Sequence, residues 1–145
     1  MDPRLLSYLY FFNIKRDYYE CHEYGEALWL DSGRPQVLKG LIQAAVCLYH
    51  LQSGNVRGGY AMWVRARKYL EPYMPVYEQI NLERLRQEID RVFAKVPSEW
   101  YDQTVAQEKI AALQLPIVSI WIEDDAIQSA LHTFVPPSHD EERIP

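Results

Sequence analysis

The chain has 145 residues, 48% of them hydrophobic and 13% aromatic, enough apolar material for one packed core and inconsistent with a disordered polypeptide. Its formal net charge of −5 argues against a dedicated nucleic-acid binder, and its longest apolar runs are too short to span a bilayer. Cys21 and Cys47 lack metal-type spacing, and no basic, apolar and small-residue leader opens the chain, so the expectation is a cytoplasmic protein with reduced thiols.

Asp2-Pro3 reads as an N-cap followed by proline in the first turn, and Leu5, Leu6, Leu9 and Phe12 carry a helical stripe to about residue 13. Asn13-Ile14-Lys15-Arg16 is the expected turn. Asp17 and Glu20 form a capping-box pattern that opens a second helix of about 14 residues, broken by Asp31-Ser32-Gly33-Arg34-Pro35. Pro35 begins a third helix to about Ser53. Gly54-Asn55 ends it and caps a fourth, which runs to about Tyr73 and is closed by Pro72 and Pro75. A fifth helix over residues 82–96 lines Leu82, Leu85, Ile89, Val92, Phe93 and Val96 on one face.

Beyond Pro97 the period loosens. Residues 98–114 show a weak helical pattern, and residues 115–122 fit an extended docking segment, a dimer contact or the start of a last helix. Residues 138–143 read as solvated. The expected fold is all-α, a compact bundle of about five to seven helices built from two N-terminal hairpins. It forms one domain over residues 1–135, with a polar tail at 136–145.

Two helices carry polar groups where a packing face is due. At 100° per residue, Tyr18, His22, Gly25 and Trp29 fall within about 60° of arc, with Glu26 beside them and Glu23 further out. The i, i+4 spacing places His22 and Glu26 within reach of each other. On the third helix Lys39, Gln43, Val46 and His50 share a similar arc, while the rest of the circumference is largely apolar. That makes the third helix central. Its polar stripe faces either water or His22 and Glu26.

These residues carry a resemblance. Residues 18–29, YYECHEYGEALW, residues 39–50, KGLIQAAVCLYH, and Gly54-Asn55 with Gly58-Gly59 resemble the domain of unknown function 309 family, small helical bacterial and archaeal proteins without a settled activity. The likeness covers about residues 8–70, within a family-like core of about 8–75. The family pattern of an aromatic pair, His-Glu, a second Glu and Trp maps onto Tyr18, Tyr19, His22, Glu23, Glu26 and Trp29. Its central-helix pattern maps onto Lys39, Gln43 and His50. Gly59 stands where the family usually has alanine, which bears on how closely the helices pack.

The first functional expectation is a binding or interaction module. Tyr19, His22, Glu23, Glu26, Trp29, Lys39, Gln43 and His50 would form a polar site for a small anionic molecule or a peptide. The alternative is a metal-dependent hydrolase with His22, Glu26 and His50 holding a divalent cation, the ligand set of an open catalytic zinc site. A third reading makes the same residues a buried structural network. A fourth takes Arg57, Arg65, Arg67 and Lys68, interleaved with Tyr60, Trp63 and Tyr69, as a single-strand nucleic-acid face, which the acidic balance disfavours. Helical hairpins of this kind often pair, so a homodimer is also expected as an option. No membrane association is expected.

Overall fold

Asp2 accepts the Arg4 amide N–H at 2.8 Å, and behind this cap helix α1 spans Pro3–Tyr10 in the computed structural model, which describes residues 1–139. Where the apolar stripe predicts more α-helix, the chain widens into a π-helical turn, Phe11–Lys15. Arg16 ends it in the left-handed region, at φ 54°. Helix α2 spans Tyr18–Asp31, with Asp17 accepting the Glu20 amide N–H at 3.1 Å. Only that half of the expected capping box forms, because the Glu20 carboxylate meets His139 at 3.0 Å instead. Helix α3 spans Gln36–Gln52, and α4 spans Val56–Leu70 behind an Asn55 cap on the Gly58 N–H. The expected end of the fourth helix at Tyr73 is a separate 3-10 turn, Glu71–Tyr73.

Helix α3 is the central one, as its sequence predicts. Val37, Leu38, Leu41, Ala44, Ala45, Cys47, Leu48 and Leu51 are all buried. It packs α2 on one side and α4 on the other. Two glycines set those approaches. A Cβ at Gly25 would lie 2.8 Å from Ile42 Cγ1, and one at Gly59 would lie 2.9 Å from the Cys47 carbonyl oxygen. Gly59 therefore brings α4 against the α3 backbone more closely than an alanine would permit.

After α4 the chain makes a hairpin that the sequence does not announce. Strands β1, Val76–Tyr77, and β2, Ile80–Asn81, pair antiparallel with Val76 opposite Asn81 and Tyr77 opposite Ile80. The two turn residues, Glu78 and Gln79, both have positive φ, at 48° and 67°. Such turns normally carry Asn-Gly or Asp-Gly, so Glu-Gln hides the hairpin. Asn81 then caps α5, Leu82–Ala94, whose Leu82, Leu85 and Ile89 are fully buried. Each such side chain contributes about 1.5–3 kcal/mol.

Residues 98–114 hold only a 3-10 turn, Ser98–Trp100, and the short helix α6, Gln107–Ala112. Residues 115–122 are extended. Val118, Ile120 and Ile122 point inward and are buried, while Ile117 and Trp121 face out at 73% and 45% exposure. The inward half of this segment completes the chain's own core. The backbone of the segment is held by other elements. Asn13 donates to the Ile120 carbonyl and accepts its N–H, both at 2.8 Å. Arg16 donates to the Val118 carbonyl, the Asn81 N–H donates to Trp121 O at 2.8 Å, and Glu88 accepts the Ser119 N–H at 3.2 Å.

Helix α7, Asp125–Ala130, and a 3-10 turn, Leu131–Thr133, follow. Residues 134–139 then lie back over α1 and α2. Phe134 meets Tyr10 edge-on at 6.0 Å between ring centroids, and the Tyr24 hydroxyl donates to Pro137 O at 2.5 Å. The first residues of the expected polar tail are therefore packed; its remainder, 140–145, lies outside the described residues. Seven α-helices and one minimal hairpin make the fold all-α among the described residues. None of these helices is long and apolar enough to cross a membrane.

Candidate functional site

Between α2 and α3, beside their Gly25–Ile42 contact, lies a groove of about 280 Å³. His22, Glu26 and Trp29 line it from α2. Lys39, Gln43, Ile42 and Val46 line it from α3, and Met62 reaches in from α4. Five of the eight expected site residues thus share one cavity. Glu23 joins them through His22.

The histidine is occupied by its own helix. His22 Nε2 lies 2.9 Å from Glu26 Oε2, one turn on, and its Nδ1 lies 3.3 Å from Glu23 Oε1. Both ring nitrogens face carboxylates, so His22 orients the two glutamates rather than offering a hydrogen bond to a visitor. About a third of the His22 and Glu23 side chains and 45% of Glu26 are exposed, so the cluster is not a buried network.

Lys39 is held differently. Its ammonium lies 5.8 Å from the Trp29 ring centroid and 5.2 Å from that of Tyr69, a cation–π clamp. Among the described residues no carboxylate lies within ion-pair distance of it. Arg34 stacks on Trp29 at 5.5 Å as well. Trp29 Nε1 and Gln43 Oε1 are both closed off from water and have no hydrogen-bond partner among the described residues. An unmet donor and an unmet acceptor cost about 1–3 kcal/mol each.

Tyr19 and His50 stand apart from the groove. Tyr19 is 54% exposed, its ring centroid 6.3 Å from both His22 and Tyr49. His50 follows Gln43 by seven residues, about 10 Å along α3, and its Nδ1 faces the Asn55 amide at 3.4 Å. The expected metal set is therefore not assembled: His22 and Glu26 meet, His50 does not. Among the described residues no three His, Cys, Asp or Glu side chains gather to hold an ion.

The other reactive and aromatic groups are committed to the fold. Burial pushes the thiols of Cys21 and Cys47 up, and they donate to the carbonyls of Tyr8 and Ala44 at 3.3 and 3.0 Å. On α4, Tyr60 stacks on Tyr101 at 4.3 Å. Trp63 is buried with its indole N–H on Asp90 at 2.8 Å, and Tyr69 faces Lys39. None of the three forms an outward stacking platform. Sequence reasoning missed Met62 and Tyr69 as groove-side residues. Their seven-residue spacing puts them on one face of α4, but the basic residues between them drew a nucleic-acid reading.

The chain is a small helical bundle with a polar groove between its second and third helices. It belongs to the family described as domain of unknown function (DUF309), whose pattern matches residues 5–62 and so spans every candidate site residue. It is similar to the uncharacterized protein YpuF of Bacillus subtilis (strain 168), with 30% identity over 122 residues, 82% of this chain and 67% of that protein. No solved structure matches it.

Proposed function

We propose that this protein is a binding module whose α2–α3 groove takes a small anionic molecule or the end of a peptide. The observation that carries the reading is Lys39. Its ammonium sits in a half-closed groove, steadied by two aromatic rings, with no carboxylate within ion-pair distance among the described residues. Lysines that serve only solubility extend their ammonium into water. This one is held in place beside apolar walls, the arrangement by which a pocket gives one charge directional meaning.

A screen of small carboxylates and inorganic phosphate tests it, followed by nitrogen–proton correlation spectra of the full chain. The expected result is a saturable shift of the Trp29 indole N–H and the Gln43 side-chain amide with at least one anion. Lys39→Met should weaken that binding at least tenfold, about 1.4 kcal/mol. Shifts that cluster elsewhere, or none with any anion, would sink the reading.

A further inference from the structure

We infer that the ligand of this groove is a carboxylate with an N–H on its neighbouring carbon, the unit present in an α-amino acid and at the C-terminus of every peptide. The inference rests on the binding reading above and names its ligand class. Three groove groups lack a hydrogen-bond or ion-pair partner among the described residues, and they differ in polarity. Lys39 offers a positive charge, Trp29 Nε1 offers an N–H, and Gln43 Oε1 needs one. Lys39 and Gln43 are four residues apart on α3, so their side chains serve one small ligand from one helix face.

Polarity and charge disfavour the simpler anions. Sulfate presents acceptor oxygens in every direction, which would satisfy Lys39 and Trp29 but set an acceptor against the acceptor of Gln43; phosphate keeps a P–OH donor and is disfavoured by its charge instead. Glu26, on the opposite wall with its carboxylate toward His22, disfavours a multiply charged anion further. A plain carboxylic acid leaves Gln43 unmet. An amine alone leaves Lys39 and Trp29 unmet. A carboxylate with an adjacent N–H meets all three groups, and the Ile42, Val46 and Met62 walls suit a short aliphatic side chain beside it. Because Trp29 Nε1 and Gln43 Oε1 are shut from water, a ligand that meets them has to part the side chains that cover them.

The test is a four-probe titration of the full chain, read at the Trp29 indole and Gln43 amide resonances. The probes are leucine, N-acetyl-leucine, isocaproate, which lacks the nitrogen, and N-acetyl-leucinamide, which lacks the carboxylate. At least one of the two leucine acids should bind ten times or more tightly than both deletion probes. Gln43→Leu should remove that advantage, so that on the variant the leucine acids bind no more tightly than isocaproate. Leucine ahead of its acetyl form identifies a free amino acid; the reverse order identifies a peptide end. Isocaproate equal to both leucine acids would overturn the inference and leave anion binding standing. Binding of phosphate with none of the four probes would overturn it in the same way. So would a Trp29 indole proton already bonded to Gln43 in the ligand-free protein, seen as slow exchange that no probe alters. The ranking on the unaltered chain decides the matter even if Gln43→Leu fails to fold.

Discussion

Residues 3–70 and residues 115–123 solve the same problem in opposite ways. The first are four helices whose backbone groups bond within each helix, so that only side chains need to meet: Gly25 on Ile42, Gly59 on the Cys47 carbonyl, Phe12 against Tyr8 and Tyr18. The second is an extended strip with no helix of its own. It must borrow partners for its peptide groups from Asn13, Arg16, Asn81 and Glu88. A helical half tolerates change wherever shape is kept. An extended strip depends on a few donors and acceptors that nothing else can replace.

The largest expected effect comes from the helical half. Phe12→Ala, at a fully buried ring, should cost about 3–5 kcal/mol in urea unfolding. Asn13→Ala strands both peptide groups of buried Ile120 and should cost about 2–4 kcal/mol, with faster proteolysis confined to residues 115–123. A cost below about 0.5 kcal/mol there would erase the contrast between the halves. Gly25→Ala forces a methyl into Ile42 and should cost about 1–3 kcal/mol, measured the same way.

The next effect is one of pH. Burial raises the ionisation of Cys21, Cys47 and Tyr8 in the folded chain above the ordinary thiol and phenol range. Unfolded, these groups release their protons at lower pH than when folded, so stability is flat below about pH 8.5 and falls above it. The slope approaches about 1.4 kcal/mol per pH unit for each group, read from urea midpoints between neutral and alkaline buffer. His22→Ala should have the smallest effect, below about 1 kcal/mol, since its ion pairs are a third or more exposed. A loss of several kcal/mol would instead mark the cluster as part of the frame.

The same division explains what could be read in advance. Caps at Asp2, Asp17 and Asn55, and apolar stripes of period 3.6, made the helices plain, because those signals are local. The narrow arcs of His22 with Glu26, and of Lys39 with Gln43, grouped residues that line one groove in the structure. His50 went astray because an arc fixes direction around a helix and says nothing of the distance along it. Tyr19 went astray because an aromatic beside a site need not wall it. The hairpin was hidden because its Glu78-Gln79 turn lacks the usual Asn-Gly or Asp-Gly. The strip at 115–122 was legible only as one option among several, because its partners Asn13, Arg16, Asn81 and Glu88 are distant in sequence.

The Asn13–Ile120 bonds join positions 107 residues apart. Closing so long a loop is entropically costly, and contacts of this span form after the local ones that shorten the effective chain. The helical hairpins are thus free to assemble while the strip is still unattached, with Val118, Ile120 and Ile122 in water and their docking face uncovered. During synthesis that interval lasts until the strip itself has emerged, and for its duration the nascent chain presents a bare apolar flank. Apolar surface exposed in this way is prone to aggregate, which is the state a chaperone shields.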